Sequence, residues 1–439
     1  MNAALQIAIA VASVAVLLGL MVVVRHYAAR WGLNAEVQRK LVHIGTGLYA
    51  MTLPWLFWDR WPVFMLVGLT LAVMVVLRLP RFAKGGIGET LHGVERQSYG
   101  DILLALAVGT VFLLSNGNAL LYILPIAILT LADAAAALTG SHYGRRFFTI
   151  EEGQKSIEGS VAFFLIALIA SMVCLLLLSD VGRGNVILLA LIVAAFGTLV
   201  EADSWRGFDN FFLPAGIMVF LESHMNSPPA TLLVIMALFA LAILVFLAAA
   251  PRLGLTKHAA RVYVISAFML LSVTALQNTV LPLLVFVAHA LSRRTNPCKA
   301  AYPELDIVAA LALASFAWLS VGLLTGLNAL GFYAVHAVGL SVGLTVLAMR
   351  SHVAQMAAGL ATALVLLIVY MWLIPRNGVV IAWAGDMQMI CVAGALVALG
   401  AAILGRGLFA DHRAARMTLV TGAVPAATYA YQVYLAGAV

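Results

Sequence analysis

Long apolar runs separated by short polar turns repeat along the whole chain. They have the length that an α-helix needs to cross a bilayer, and they lack the short alternating pattern of barrel strands. The sequence therefore predicts an all-α polytopic membrane protein with roughly 14–15 transmembrane helices. The predicted spans are 3–24, 41–58, 62–80, 101–114, 119–139, 157–178, 186–200, 211–222, 229–249, 306–326, 329–349, 354–374, 388–405 and 417–437. The run 262–291 is long enough for two more, broken near Gln277 and Asn278.

Composition excludes several other classes of protein. The 439 residues are 64% hydrophobic and 10% charged, with a mean hydropathy of +1.06, whereas a soluble domain is about a quarter charged. The three cysteines are scattered and indicate neither a disulfide framework nor a metal site. The first run lacks a basic leader and a clear cleavage site, so we expect a retained helix and not a signal peptide.

The formal charge of +7 is distributed in a way that predicts topology. Basic residues lie in short loops at the ends of spans, which is typical of cytoplasmic anchoring and argues against nucleic acid as a partner. With the N-terminus outside, the outer loops carry only Arg60, Arg183 and Arg376. We expect a protein of the cytoplasmic membrane whose polar loops in the first half face the cytoplasm, where nucleotides and Mg²⁺ are available.

Loop composition changes near residue 225. Before the segment ESHMNSPPA (222–230), loops are rich in paired acids and bases. After it, charged residues in the loops are sparse and mainly basic. This predicts a first domain over 1–225 and an additional membrane domain, of unassigned role, over 226–439. The sequence leaves a homo-oligomer open.

The first polar cluster is QRKLVHIGTG, residues 38–47. Arg39, Lys40 and His43 can share one helix face because they are three and four residues apart. Such a face could bind phosphate oxygens, with His43 moving a proton. The plainer alternative is that Arg39 and Lys40 are topological anchors, and for this cluster alone it is favoured.

The second cluster is GETLHGVERQSYGD, residues 88–101, a loop predicted to form a short interfacial helix. It carries Glu89, Glu95, Arg96 and Asp101. Taken alone, this cluster is explained better by a solvated loop with surface ion pairs than by a functional site.

The third cluster, ADAAAALTGSHYGRRFFTIEEGQKSIEGS (132–160), has the strongest functional signal. Asp133 lies within an apolar helix, where a carboxylate costs about 2.5–3.5 kcal/mol unless it faces protein, water or a cation. Gly140 and Gly144 frame a predicted flexible turn whose N–H groups could bind an anion. Lys155 precedes Ser156, a predicted N-cap, and a helix N-terminus beside a lysine favours phosphate. The spacing is not that of a Walker A loop.

The fourth cluster is LVEADSWRGFDNFFLP, residues 199–214. Glu201, Asp203 and Asp209, with Asn210 beside them, offer the oxygen ligands that Mg²⁺ prefers. An ordinary polar loop neutralised by Arg206 explains it equally well.

Together these stretches resemble the polyprenol kinase family of dolichol, phytol and farnesol kinases, which is itself similar to phosphatidate cytidylyltransferases in the nucleotide-binding part. The resemblance covers roughly residues 35–220. The family's RKxxH, Asp–Gly–Gly–KSxEGS and VE–DN–P patterns match Arg39, Lys40, His43, Asp133, Gly140, Gly144, KSIEGS (155–160), Val200, Glu201, Asp209, Asn210 and Pro214. A loop with Glu95, Arg96 and Gly100 also resembles the family's.

The resemblance implies transfer of the terminal phosphate of a nucleotide, typically CTP, to the hydroxyl of an isoprenoid alcohol. It implies catalytic roles for Asp133, Lys155, His43, Arg39 and Lys40. The implied nucleotide-binding residues are Gly140, Gly144, Lys155, Ser156, Glu158 and Gly159. The implied Mg²⁺ ligands are Asp133, Glu201 and Asp209, with Arg96 and Asn210 as further candidates.

The sequence departs from the family at three points, and two other functions stay open. Ala132 stands where Gly is common, "SH" follows Gly140 where a basic residue is common, and a single acid precedes Asn210. A cytidylyltransferase acting on a lipid phosphate would use the same nucleotide site. A transporter is the more distant alternative, but polar groups concentrated in one half favour an enzyme over it.

Overall fold

The computed structural model describes residues 2–33, 35–57, 59–78, 99–150, 153–204, 206–299, 305–377 and 387–437. The helices are α1 Ala3–Trp31, α2 Ala35–Met51, α3 Leu53–Leu56, α4 Trp61–Leu77, α5 Gly100–Leu114, α6 Ala119–Ala127, α7 Asp133–Tyr143, α8 Ile157–Leu178, α9 Arg183–Asp203, α10 Asp209–His224, α11 Pro229–Arg252, α12 Lys257–Val273, α13 Val280–Thr295, α14 Leu305–Thr325, α15 Ala329–Ala348, α16 His352–Asn377, α17 Gln388–Leu404 and α18 Arg413–Ala436. A π-helical turn, Ile128–Ala132, joins α6 to α7, and 3₁₀ turns occupy Leu276–Thr279 and Arg406–Phe409.

The described chain is an all-α polytopic membrane protein, as predicted. Seven of its described helices are long and apolar enough to cross a membrane: Ala3–Ala28, Ala119–Tyr143, Ile157–Leu178, Arg183–Asp203, Pro229–Arg252, Ala329–Ala348 and His352–Asn377. Shorter apolar helices include Trp61–Leu77, Gly100–Leu114 and Gln388–Leu404. Each of these helices overlaps a predicted span, while the total of roughly 14–15 transmembrane helices stays a prediction.

Several predicted boundaries agree with the structure and others move. The span 157–178 coincides with α8, and the run 262–291 is broken by the 3₁₀ turn that contains Gln277 and Asn278. The span 3–24 extends to Trp31, where Gly32 caps the helix in the left-handed conformation. The span 41–58 divides into α2 and α3, with Pro54 in the first turn of α3. The interfacial helix predicted in 88–101 falls mostly on residues outside the described ranges.

Two short strands, β1 Phe147–Ile150 and β2 Gly153–Ser156, form a two-stranded sheet that the apolar pattern does not predict. Lys155 lies on β2, directly before the Ser156 cap of α8. The connector between α7 and α8 therefore has regular structure on both sides of residues 151–152.

Contacts group the chain into two compact units. The first contains Met1–Phe148 and Gln154–Leu232, and the second contains Thr149–Gly153 and Leu233–Val439. Within the first unit, the mostly buried helix Ala119–Tyr143 contacts α2, α8 and α10. Within the second unit, α15 is buried along its whole length and packs against α13, α14, α16, α17 and α18.

Candidate active site

Asp133, at the start of α7, links two helices of the first unit through an ion pair. Lys40, on α2, places its Nζ 2.7 Å from Asp133 Oδ2, and both side chains are buried. His43, one turn later, places Nε2 3.5 Å from the same oxygen and 3.2 Å from the carbonyl oxygen of Leu129. Because both neighbours of Nε2 are acceptors, this nitrogen carries the hydrogen. Proton acceptance by His43 would therefore have to use Nδ1.

The π-helical turn before Asp133 explains part of this geometry. Thr130 donates a 2.6 Å hydrogen bond to the carbonyl of Ile126, while the Leu129 carbonyl faces His43. A π turn widens the helix, shifts the side chains that follow and is frequent at functional sites. The turn ends at Ala132, directly before Asp133 and its ion pair with Lys40.

A second lysine–carboxylate pair lies in the same unit. Lys155 Nζ is 2.5 Å from Glu201 Oε1 and 2.7 Å from the Glu201 carbonyl oxygen, at the end of α9. Burial opposes the charge of Lys155, but the carboxylates of Glu201, Asp209 and Asp133 outweigh it and raise the pKa of Lys155 above its usual value. Lys155 is therefore a cation at neutral pH.

The start of α8 is capped as the sequence predicts. Ser156 Oγ accepts a 3.0 Å hydrogen bond from the Gly159 N–H. The Glu158 carboxylate accepts the backbone N–H groups of Arg145 and Arg146 at 3.1 and 3.3 Å. Glu158 thus closes the turn before β1 and does not line the cleft described below.

The predicted flexible turn between Gly140 and Gly144 is wrong. Helix α7 continues through Gly140 to Tyr143, and Gly144 is its C-cap. The glycine at 140 serves close helix packing instead, because a Cβ there would lie 2.8 Å from Ser156 Oγ. A Cβ at Gly159 would likewise lie 2.9 Å from the carbonyl oxygen of Ala136. Small residues at these positions bring α7 against the start of α8.

The start of α10 is tied to the start of α5. Ser204 Oγ accepts the Asp209 N–H at 2.7 Å, and Asn210 Nδ2 donates to the Gly100 carbonyl at 2.6 Å. The Tyr99 N–H also donates to the Arg206 carbonyl, at 2.8 Å. Asn210 therefore holds two helix starts together, a role that the sequence alone does not indicate.

These elements surround one polar cleft with a volume of about 400 Å³. Four basic side chains (Arg39, Lys40, Lys155 and Arg206) and three acidic ones (Asp133, Glu201 and Asp209) line it. Gly140, Ser156, Gly159 and Asn210 line it as well, whereas Gly144 does not. His43 lines an adjoining apolar cavity, and Arg96 lies outside the described residues. The structure thus brings most of the predicted site residues together.

The carboxylates fit a Mg²⁺ ion that arrives with phosphates better than a preformed metal cage. Among the described residues, no group of three His, Cys, Asp or Glu side chains is placed to hold a metal ion. Asp133 and Glu201 are each held by a lysine, and Asp209 takes part in neither ion pair. Because Mg²⁺ in proteins commonly uses one or two carboxylates plus substrate phosphates, these oxygens meet its requirements.

The apolar cavity next to the cleft was not predicted. It has a volume of about 100 Å³ and lies between α1, α2, α4 and α5. Arg39 and Asn210 line both the cavity and the cleft. Asp101, which the sequence places where the polar loop 88–101 meets the predicted span 101–114, is the second residue of α5 and lines the cavity.

One known protein resembles this chain over a large part of its own length. A phytol kinase from Synechocystis sp. is 33% identical over 220 residues, which cover 48% of this chain and 90% of the relative. The chain belongs to the phytol kinase family. No protein-family model and no solved structure matches it. Membership in the phytol kinase family agrees with the polyprenol kinase resemblance, while the further likeness to cytidylyltransferases stays a prediction.

Proposed function

We propose that this protein is a prenol kinase that transfers the terminal phosphate of CTP to the hydroxyl of an isoprenoid alcohol in the membrane. Membership in the phytol kinase family supports the reaction class. The observation that carries the proposal is the polar cleft, where two lysines stand beside three carboxylates at the ends of membrane helices. The choice of CTP rests on the sequence resemblance.

The basic side chains would bind the phosphates. Phosphoryl transfer depends mainly on positioning and charge neutralisation, so lysines beside the cleft supply what the reaction needs. Lys155 and Lys40 are both held at the cleft by carboxylates, and Arg39 and Arg206 add two guanidinium groups to its lining. Arg39 or Lys40 would stabilise the charge that develops on the transferred group. His43 would hold the orientation of Asp133 through Nε2.

Asp209, Asp133 and Glu201 are the residues that would hold Mg²⁺. The bound ion would neutralise charge on the phosphate oxygens during transfer. Each lysine would then exchange its carboxylate partner for a phosphate oxygen, which keeps every buried charge paired. The cleft charges therefore suit a nucleotide and a cation that bind together.

We further propose that the site faces the cytoplasm and that residues 1–225 form the kinase region. The positive-inside distribution of Arg and Lys supports the orientation. Every residue of the cleft lies between Arg39 and Asn210, inside the first compact unit.

Isotope labelling tests the proposed reaction. The purified protein in detergent is given Mg²⁺, mixed isoprenoid alcohols, phosphatidate, and CTP labelled at either the γ- or the α-phosphate. We expect γ-label in the alcohol fraction from wild-type protein and none from the Lys155→Met variant. Label from the α-phosphate in lipid would replace the kinase with a cytidylyltransferase. No label in lipid, with active control enzymes, would refute both. Competition by unlabelled ATP checks the choice of CTP.

A further inference from the structure

The apolar cavity of the first unit is too large to be a packing defect. Its volume of about 100 Å³ is several times the roughly 10–15 Å³ that holds one water molecule. Its walls include Leu17, Met21, Val42, Leu66, Met74 and Val108. An apolar cavity of this kind is disfavoured for water and suits a hydrocarbon group.

The cavity has a charged end and an uncharged end. On α2 its lining runs from Arg39 to Ala50, eleven residues apart, which is about 16 Å of helix. Arg39, His43 and Asn210 lie at the end that adjoins the polar cleft, and Ala50 and Leu53 lie at the other. This arrangement matches a long molecule with one polar terminus.

Asp101 offers a specific contact for that terminus. Its Oδ1 is paired with the guanidinium of Arg78, at the end of α4. Its Oδ2 is buried and, among the described residues, has no hydrogen-bond partner. A buried acceptor without a donor is unfavourable, and an alcohol O–H is a donor.

We infer that this cavity binds the hydrocarbon tail of the alcohol, with the hydroxyl against Asp101 Oδ2; the inference rests on the proposed function. In the transfer, the hydroxyl oxygen forms a bond to the terminal phosphorus while its O–H bond breaks and Asp101 takes the proton. The bond from that phosphorus to the bridging oxygen breaks, and its electron pair leaves with the nucleoside diphosphate. Atoms and charge balance without another reactant.

Two substitutions on α5 test the position of the tail. Val108 and Ala105 both line the cavity, and Val108 lies about one turn farther from the Asp101 end. We expect Val108→Phe to raise the KM for geranylgeraniol about tenfold or more, because the larger ring displaces methylene groups of the tail that would otherwise be buried. Geraniol, which is shorter, should be little affected. Ala105→Phe should raise the KM for both. Leu106→Phe is the matched control, because Leu106 is exposed on the same helix.

Photolabelling separates this inference from the proposed function. A prenol with a diazirine at its distal end, added without nucleotide, should label peptides from α4 and α5 in wild-type protein. Excess geranylgeraniol should prevent it. Labelling confined to other helices, or KM values in a folded Val108→Phe protein equal to wild type, would overturn the tail site while leaving the kinase intact. Absence of any phosphorylated alcohol would overturn the proposed function, and the labelling pattern would still decide the tail site.

A pair of variants tests the role of Asp101. Asp101→Asn keeps the shape but loses the proton acceptor, so kcat should fall about 10²–10⁴-fold with little change in the alcohol KM. Arg78→Met breaks the same ion pair but keeps the carboxylate. A purely structural role predicts equal losses from the two variants, and that result would exclude Asp101 as the acceptor.

Discussion

Lys40 and Asp133 lie 93 positions apart in the sequence and form a buried ion pair, an arrangement with a large desolvation cost. Apolar residues of similar volume often replace such pairs with no loss of stability. The Lys155–Glu201 pair repeats the pattern on the same cleft. Two costly pairs beside one cleft are better explained by a ligand that needs the charges than by stability of the fold.

Asp133→Asn should therefore impair both folding and activity. The change leaves Lys40 buried without a counter-ion, which typically costs about 3–5 kcal/mol. We expect a lower thermal unfolding temperature in detergent and loss of phosphate transfer. The double variant Lys40→Met/Asp133→Leu should recover the unfolding temperature but not the activity.

Asp59→Asn is the matched control for this change. Asp59 is exposed and accepts a hydrogen bond from Gln6 at 2.6 Å, away from the cleft. Its substitution should leave phosphate transfer near the wild-type level. Full activity in a well-folded Asp133→Asn protein would contradict the site.

The pKa of Lys155 gives a prediction about pH. Burial disfavours the charged form of Lys155, but the carboxylates of Glu201, Asp209 and Asp133 favour it more strongly. The pKa of Lys155 is therefore raised above its usual value, about 10.4. The stability that this charge adds to the folded protein is complete below the pKa of Lys155 in the unfolded chain. It is lost only as the pH rises through the higher pKa of Lys155 in the folded protein. Lys155→Met should weaken nucleotide binding by the same factor at about pH 7.5 and about pH 9.

Titration calorimetry measures this factor. Lys299→Met, the same change at an exposed lysine of the second unit, should not alter nucleotide affinity at either pH. A Lys155→Met effect that shrinks by about pH 9 would show that the folded pKa is lowered and not raised.

At the scale of secondary-structure elements, the site depends on how closely α7 approaches the start of α8. Gly159→Ala places a Cβ 2.9 Å from both the Ala136 carbonyl oxygen and Ser156 Oγ, so the helices must separate. Overpacking of this kind costs about 1–3 kcal/mol. We expect a lower unfolding temperature and weaker nucleotide binding, measured by thermal unfolding and calorimetry.

Gly68→Ala is the control for the glycine substitution. Gly68 lies in α4, and a Cβ there meets nothing within 4 Å. Replacing an unrestricted helical glycine by alanine is neutral or stabilises by about 0.5–1 kcal/mol. Equal behaviour of the two variants would show that the α7–α8 contact does not position the site.

Features set by neighbouring residues, such as helix boundaries, could be predicted from the sequence. Features that depend on contacts between residues far apart in the sequence could not. The apolar run 157–178 and its Ser156 cap gave α8 its boundaries. The strand that carries Lys155 is four residues long and has no apolar alternation to reveal it. The π turn before Asp133 lies against α2, where the Leu129 carbonyl contacts His43, 86 positions away in the sequence. For the same reason the residue types of the site were predictable but the pairing of each lysine was not.

At the scale of the whole molecule, the proposed reaction requires a particular orientation in the membrane. The helix Ala119–Tyr143 has 25 residues, about 37 Å at 1.5 Å per residue, which exceeds a hydrocarbon core of about 30 Å. Asn116 precedes this helix and Ser141 lies in its last turn, and both are exposed. The two positions should therefore lie on opposite sides of the membrane.

Cysteine labelling tests this orientation. In a background without Cys174, Cys298 and Cys391, the variants Asn116→Cys and Ser141→Cys are treated with a membrane-impermeant maleimide in vesicles of known orientation. We expect label at position 141 only from the cytoplasmic side and at position 116 only from the other. Because Ser141 lines the cleft, Mg²⁺ with CTP should protect position 141 and leave position 116 reactive.

Label at both positions from one side would mean that this helix does not cross the membrane. Label at position 141 from the outer side alone would place the cleft out of reach of cytoplasmic nucleotide and rule out the proposed donor.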